Sequence, residues 1–350
     1  MRIVYGLSGE GHGHSSIARQ IIPILIRQGH EVKVITYGLS LRFLKEYNPI
    51  EIKGIVLYYE KNHTFSLRRT IFNNLDCLSF YVKNWRRIRN ELKAFSPDLF
   101  IVNFEPLTAL LAHSLRKPLI SLSNQHGLLY FKEEIPKKYR KSFFITKIAI
   151  ALATPFAEKY VIMSLTDLTI NKKNVRIITP IIHENIKKLK PRKGKKILVY
   201  LKNPNFQLLE TLKKLDEEFI VYGRDIKKKD GNLVFRKTGN SFIKDLQNCK
   251  AIIATAGQSL ITEAIYLKKP FFGVPPEGEF EQTFNAMLLK KSHFGNFSEN
   301  PSEKEINHFI KNLSNYEKEL KKFKFEIDKS EKEFLEVIEE IENRTKSRRH

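Results

Sequence analysis

Residues 252–286 read I-I-A-T-A-G-Q-S-L-I-T-E-A-I-Y-L-K-K-P-F-F-G-V-P-P-E-G-E-F-E-Q-T-F-N-A, and the alternation within this stretch decides the fold. Residues 250–254 read as a short buried strand. Thr255, Ala256, Gly257 and Gln258 make a tight polar turn, and residues 259–267 carry Leu260, Ile261, Ala264 and Ile265 at helical spacing. Lys268 and Lys269 suit the negative end of the helix dipole, and Pro270 stops the helix. A second strand, 270–274, follows, and the loop 275–281 opens a second helix. Two strand-to-helix turns side by side place two helix N-termini at one edge of a parallel sheet. Such an edge binds phosphorylated ligands, because unsatisfied backbone N–H groups and the dipole both attract anions. The small residues Ala256 and Gly257 let a diphosphate approach the backbone closely.

The stretch resembles the donor-binding signature of GT-B glycosyltransferases. The nearest likeness is to the family-28-type group that includes the lipid-linked N-acetylglucosaminyltransferase of peptidoglycan synthesis. The resemblance implies that Ala256, Gly257, Gln258 and Ser259 hold a nucleoside diphosphate and that Glu263, one turn on, holds the ribose hydroxyls. It implies that Glu281 and Gln282, ahead of Asn285 and Ala286, read the sugar. The family often has two amides at that pair, so the acid at Glu281 leaves the sugar's identity open. Residues 241–246 resemble the segment whose backbone holds the uracil edge, which points to Ile243.

The chain opens with an apolar strand, 3–7, and a loop Ser8-Gly9-Glu10-Gly11-His12-Gly13-His14. A helix then runs from Ser15 or Ser16 to Gln28, with Ser15 as a suitable N-cap and Gly29 as its terminating glycine. A second strand, 31–36, completes a right-handed βαβ unit. The glycines do not make a dinucleotide fingerprint: His14 stands where the third glycine belongs, and the second strand ends without an acid for a ribose. The loop does resemble the first βα turn of the same glycosyltransferases, with Gly11 and Gly13 preceding a histidine that opens the first helix. That resemblance implies that His14 projects into an interdomain cleft as the catalytic base; His12 is the rival.

Further on, 42–59 reads as a helix and a short strand, and 65–95 as a long amphipathic stretch whose arginines suit a solvated face. A strand at 97–102, a helix at 105–115 and a strand at 119–122 follow, and then the polar run 123–127. Related enzymes carry a polar loop here facing the acceptor, so Gln125 and His126 are candidates for acceptor-side contact or for loop structure. Residues 143–156 are strongly apolar and follow the basic run 137–141. Apolar side chains surround much of this helix, which favours a core position. Charge followed by apolar surface also suits a helix lying on an anionic membrane, the alternative reading. Strands at 160–163 and 175–178 end the first domain, and 179–183 resembles the family's linker. The second domain starts with the strand 196–201. Its following turn, 201–205, lacks the glycines of many relatives. From 303 the chain is helical and charged, 326–341 could cross back to the first domain, and 344–350 reads as a basic disordered tail. The expected domains are 1–182, 183–325 and a crossover segment 326–350.

A chain of 350 residues that is 42% hydrophobic supports two domains of ordinary size. No run approaches the ~20 uninterrupted apolar residues of a spanning helix, and no signal-peptide pattern precedes the first strand. Cys77 and Cys249 lie far apart without paired-ligand spacing, which fits a reducing cytoplasm and argues against disulfide or zinc frameworks. The net charge of +23 calls for an anionic partner: nucleic acid, lipid or phosphorylated substrate. No zinc finger, RNA-recognition signature or homeodomain pattern supports nucleic acid.

These readings converge on an α/β GT-B enzyme: two Rossmann-like parallel-sheet domains with an active site in the cleft. The expected reaction is inverting transfer of a sugar from a nucleoside diphosphate sugar, UDP-linked, to an acceptor hydroxyl, which a lipid could carry. No cofactor is expected, and no Asp-x-Asp motif stands in the sequence, so a metal-free mechanism is expected too. The expected location is the cytoplasm, at the inner face of a membrane if 137–156 docks there. A nucleotide-sugar 2-epimerase of the same fold is the alternative enzyme. A basic nucleic-acid-binding module is the alternative of another class.

Overall fold

The computed structural model describes residues 1–350 except 11–12, 57, 59–65, 132–133, 166–169, 202–204, 225 and 348–350; of 67, 240, 327 and 328 only the backbone is described. The chain forms two units. The first contains Met1–Glu60, Phe65–His183 and Glu326–His350, and the second is built on Glu184–Phe325.

The first unit is a seven-stranded parallel sheet: β1 (Arg2–Leu7), β2 (Glu31–Thr36), β3 (Ile50–Glu51), β4 (Leu99–Asn103), β5 (Leu119–Ser123), β6 (Lys159–Met163) and β7 (Val175–Ile178), in the order β3-β2-β1-β4-β5-β6-β7. The strand order reverses at β1, so right-handed crossovers send helices to opposite faces. On one face α1 (Gly13–Arg27) buries Ile21, Ile22 and Leu25 against Ile3, Tyr5 and Leu7. After the short α2 (Leu39–Phe43) and α3 (Leu67–Asn73), the helices α4 (Leu75–Phe95) and α5 (Pro106–Ser114) take the other face. There Ile88, Leu92, Leu107 and Leu111 meet Val4, Phe100 and Val102. Next along this layer, α6 (Arg140–Ala153) lies beside α5.

The second unit is another seven-stranded sheet, of order β10-β11-β9-β8-β12-β13-β14. Its elements run α7 (Glu184–Lys187), β8 (Ile197–Tyr200), α8 (Phe206–Lys213), β9 (Phe219–Tyr222), β10 (Lys228–Asp230), β11 (Leu233–Phe235) and α9 (Asn240–Asn248). They continue with β12 (Ala251–Ala254), α10 (Gln258–Tyr266), β13 (Phe271–Gly273), α11 (Phe280–Lys291), β14 (Gly295–Phe297), α12 (Glu303–Lys311) and α13 (Leu313–Lys322). Among the described strands only β10 is antiparallel, an edge strand that the sequence did not announce. The last helix, α14 (Ile327–Ser347), belongs to the first unit. Its Phe334, Val337, Ile338 and Ile341 join the α1 face, and Glu331 and Glu336 pair with Arg27 and Arg176, each at 3.0 Å.

Several sequence expectations change. The first helix begins at Gly13, so Ser15 is a buried first-turn residue and not the N-cap. The stretch 65–95 is two helices, and Phe65 lies outside the described residues. Asn74 stands between them, and its side chain bonds both backbone groups of Val56. Residues 344–347 are helical, with Arg344 paired to Glu158 and Glu340 at 2.8 Å, and only 348–350 lie outside the description. The core position favoured for 143–156 is wrong: α6 buries Ile150 and Ala153 but exposes Phe144, Ile148 and Leu152. The cause is its seat: α6 packs chiefly on the turn Gln125–Tyr130 and on α5. Among the described residues no helix is long and apolar enough to cross a membrane.

Candidate functional site

At the C-terminal edge of the first sheet the turn after β1 is pinned by its hydroxyls. Ser8 Oγ and Tyr37 Oη lie 2.9 Å apart, and Tyr37 donates to the carbonyl of Ile55 at 2.7 Å. Gly9 is needed there because a Cβ would lie 1.9 Å from the Tyr37 carbonyl oxygen. This turn delivers His14, half-buried in the first turn of α1, to the end of β4. Its Nδ1 lies 2.7 Å from Asn103 Oδ1. An amide oxygen only accepts, so Nδ1 carries the proton and the lone pair sits on Nε2. The ring also lies parallel to that of Phe104, 6.0 Å between centroids. Phe104 has φ +58°, a left-handed conformation costly for a bulky residue. It turns the chain so that Glu105 caps α5, accepting from the amides of Leu107 (2.8 Å) and Thr108 (2.7 Å) and from Thr108 Oγ1 (2.5 Å). Burial pushes the Glu105 carboxyl above its usual range, and these donors partly offset it.

The other candidate residues on this edge are placed differently. Gly11 and His12 lie outside the described residues. Gly13 is exposed, with open space where a Cβ would stand. Gln125 and His126 are buried in the turn after β5. His126 Nδ1 lies 2.7 Å from Ser123 Oγ, its ring packs on Tyr160, and burial pushes its imidazole down to about 4.

At the C-terminal edge of the second sheet, β12 ends in the turn to α10. No side chain caps α10, and its first backbone bond is Ile261 N–H to the Gly257 carbonyl at 3.1 Å. The amides of Ser259 and Leu260 therefore have no intrahelical acceptor. The space in front of Gly257 is open, with nothing within 4 Å of a Cβ placed there. Glu263 is partly exposed on the same helix, and desolvation pushes its carboxyl up to about 7. On α11, Gln282 Nε2 donates to Glu279 Oε1 at 2.9 Å, and Glu281 is half-buried in the first turn. Asn285 is buried and donates to the Ala256 carbonyl at 3.1 Å, so it braces the turn from behind. Ile243 lies in the first turn of α9, half-buried. Beside it Asp245 accepts from Tyr222 Oη and from Arg236, both at 2.5 Å. The turn after β8 falls on 202–204, outside the described residues.

The second edge thus offers an open, anion-attracting helix end with a carboxylate one turn away. The first offers an imidazole held in one tautomer. Asn103, Phe104 and Glu105 were missed in the sequence, although a polar Asn-x-Glu-Pro directly after an apolar strand was a usable signal.

A profile described as Glycosyl transferase family 1 matches residues 1–314. An uncharacterized glycosyltransferase of Methanosarcina acetivorans is 23% identical over 84% of this chain and 85% of its own. Among solved structures, LpCGTa in complex with UDP superposes with a TM-score of 0.70 at 15% identity, covering 97% of this chain and 99% of the other. The glycotransferase of kitacinnamycin gives 0.69 at 13% identity, covering 97% and 98%.

Proposed function

The chain belongs to glycosyl transferase family 1 and has the GT-B fold, and from that premise we propose that it transfers a sugar from a UDP sugar to an acceptor hydroxyl, with inversion and without a metal. The observation that carries this reading is the uncapped N-terminus of α10 facing open space at Gly257, with Glu263 one turn on. Unpaired amides and the dipole there stabilise the negative charge that grows on a departing diphosphate. Glu263 takes the ribose hydroxyls, Ile243 the base, and Glu281 and Gln282 the sugar. UDP as the nucleotide is supported by the LpCGTa complex among the structural neighbours and by the likeness to the family-28-type group.

The acceptor oxygen attacks the anomeric carbon as the bond from that carbon to the diphosphate breaks, its electron pair leaving with the diphosphate. The acceptor proton passes to Nε2 of His14, whose tautomer Asn103 sets. A single displacement inverts the centre. A lipid-linked acceptor is favoured over a soluble one by the exposure of Phe144, Ile148 and Leu152 on α6. A thermal-shift series with UDP, GDP and TDP tests the donor. UDP at 100 times its Kd should stabilise by about 2.7 kcal/mol, and no response to any of the three nucleotides would refute the reading.

A further inference from the structure

Arg224, at the C-terminal edge of the second sheet, is a cation that none of the proposed donor contacts uses. The strand order places β9 and β8 between β11, which leads into α9 and Ile243, and β12, which leads into α10 and Gly257. Three strand spacings, about 14 Å, separate β11 from β12. A nucleotide whose base lies at Ile243 and whose diphosphate lies at Gly257 therefore crosses the ends of β9 and β8.

Arg224 stands two residues beyond the end of β9. Gly223 turns the chain there with φ +100°, and a Cβ on it would lie 2.1 Å from the carbonyl oxygen of Leu201. Only glycine allows so close an approach, and it sets Arg224 beside the turn that follows β8. The Arg224 side chain is half-buried, its guanidinium 5.1 Å from the ring centre of Phe206 and 5.8 Å from that of Phe235. Phe235 is buried, whereas Phe206, the first residue of α8, is 61% exposed. A guanidinium held by two rings has less freedom to lose when it binds an anion. Among the described residues Arg224 forms no ion pair, and the carboxylate of Asp245 on α9 is taken by Arg236.

The helix ends at this edge differ. No side chain caps α10, but Asn205 caps α8, its Oδ1 accepting from the Leu208 amide at 2.9 Å. The cap engages an amide of the kind that α10 leaves open, so α8 is the poorer anion site. The turn 201–205 also has no glycine to bring its backbone against a phosphate. A guanidinium beside that turn supplies the charge and paired donors that the backbone does not.

We infer that Arg224 binds the diphosphate of the nucleotide sugar and that Phe206 positions it. The inference rests on the donor reading and assigns to a side chain the phosphate contact that the turn after β8 is not built to make.

The test compares uridine, UMP and UDP by calorimetry in the wild type, Arg224→Met, Phe206→Leu and the double variant. Arg224→Met should weaken UDP about 10- to 100-fold and leave uridine, which has no phosphate, within about twofold. Phe206→Leu, at an exposed ring, should weaken UDP about two- to fivefold and add nothing in the Arg224→Met background. Lys227→Met, at an exposed position between β9 and β10, removes the same charge and should leave UDP within about twofold. Equal losses for uridine and UDP would overturn the inference in favour of packing. So would equal losses in the two charge variants, or a Phe206→Leu effect that persists without Arg224. A wild type that binds no nucleotide would refute the donor reading and this inference with it, whereas undiminished UDP binding by Arg224→Met would refute the inference alone.

Discussion

Replacing Glu263 by Gln should make the protein more stable and a poorer nucleotide binder at the same pH. The carboxyl is raised from 4.5 to about 7 by desolvation, so the folded state holds its proton more tightly than the unfolded chain does. Protonation therefore favours the fold: above pH 7 the ionised group carries its full burial cost, and below about 4.5 that cost is gone. A rise of that size corresponds to about 3 kcal/mol, and partial solvent contact trims this to about 2–3. Gln keeps the shape without the charge. At pH 8.5 Glu263→Gln should raise the melting temperature of the second unit by several degrees, at about 3–4 °C per kcal/mol, with the gain vanishing near pH 4.5. The same substitution weakens charge-assisted hydrogen bonds to ribose and should cost about 1.5–3 kcal/mol of affinity, roughly 10- to 150-fold in Kd. Calorimetry with UDP and melting curves from pH 4.5 to 8.5 measure both. For the wild type, affinity for a UDP sugar, which has no phosphate titration in this range, should rise as pH climbs through 7. A variant more stable at high pH with unchanged affinity would remove Glu263 from the donor site. Unchanged stability would refute the desolvated carboxyl.

The remaining expectations are separable. His14→Ala should lower kcat roughly 10²–10⁴-fold with nucleotide affinity little changed; inactivation by His12→Ala with His14→Ala active would move the base two residues upstream. Asn103→Leu removes the acceptor of the Nδ1 bond and should lower kcat up to about 10²-fold while donor KM stays constant, so an unaltered kcat would reduce Asn103 to packing. Gly257→Val points its side chain into open space at a φ of −71°, which any residue adopts. Melting should be unaffected while UDP binding is lost, and retained binding would take the diphosphate away from this turn. Turnover should survive EDTA; loss restored by Mg²⁺ or Mn²⁺ would show that the helix end is not the sole stabiliser of the leaving group.

What the sequence determined by itself were features written in neighbouring residues. The alternation in 252–286 placed β12, α10, β13 and α11 within a residue or two, because strand runs, breakers and helical spacing are local properties. The open helix end at Gly257 was legible for the same reason: small residues, no capping side chain and a proline stop fix it without help from elsewhere. His14 was visible too, at the opening of α1. The tertiary structure decided whatever depends on which distant segment arrives. Asn103, 89 residues from His14, was not tied to it by any local pattern. The burial of His126 and Asn285 was likewise not readable, since a polar residue after a strand looks the same in sequence whether the loop above it folds inward or not. Residues 143–156 had the composition of a core helix, yet α6 rests on a turn and on α5 and so leaves much of its apolar surface uncovered. Apolar periodicity states which face seeks cover, and only the assembled sheet and helices determine whether cover comes. The raised carboxyl of Glu263 follows the same rule, because desolvation is produced by the atoms packed around a group and not by its place in the chain.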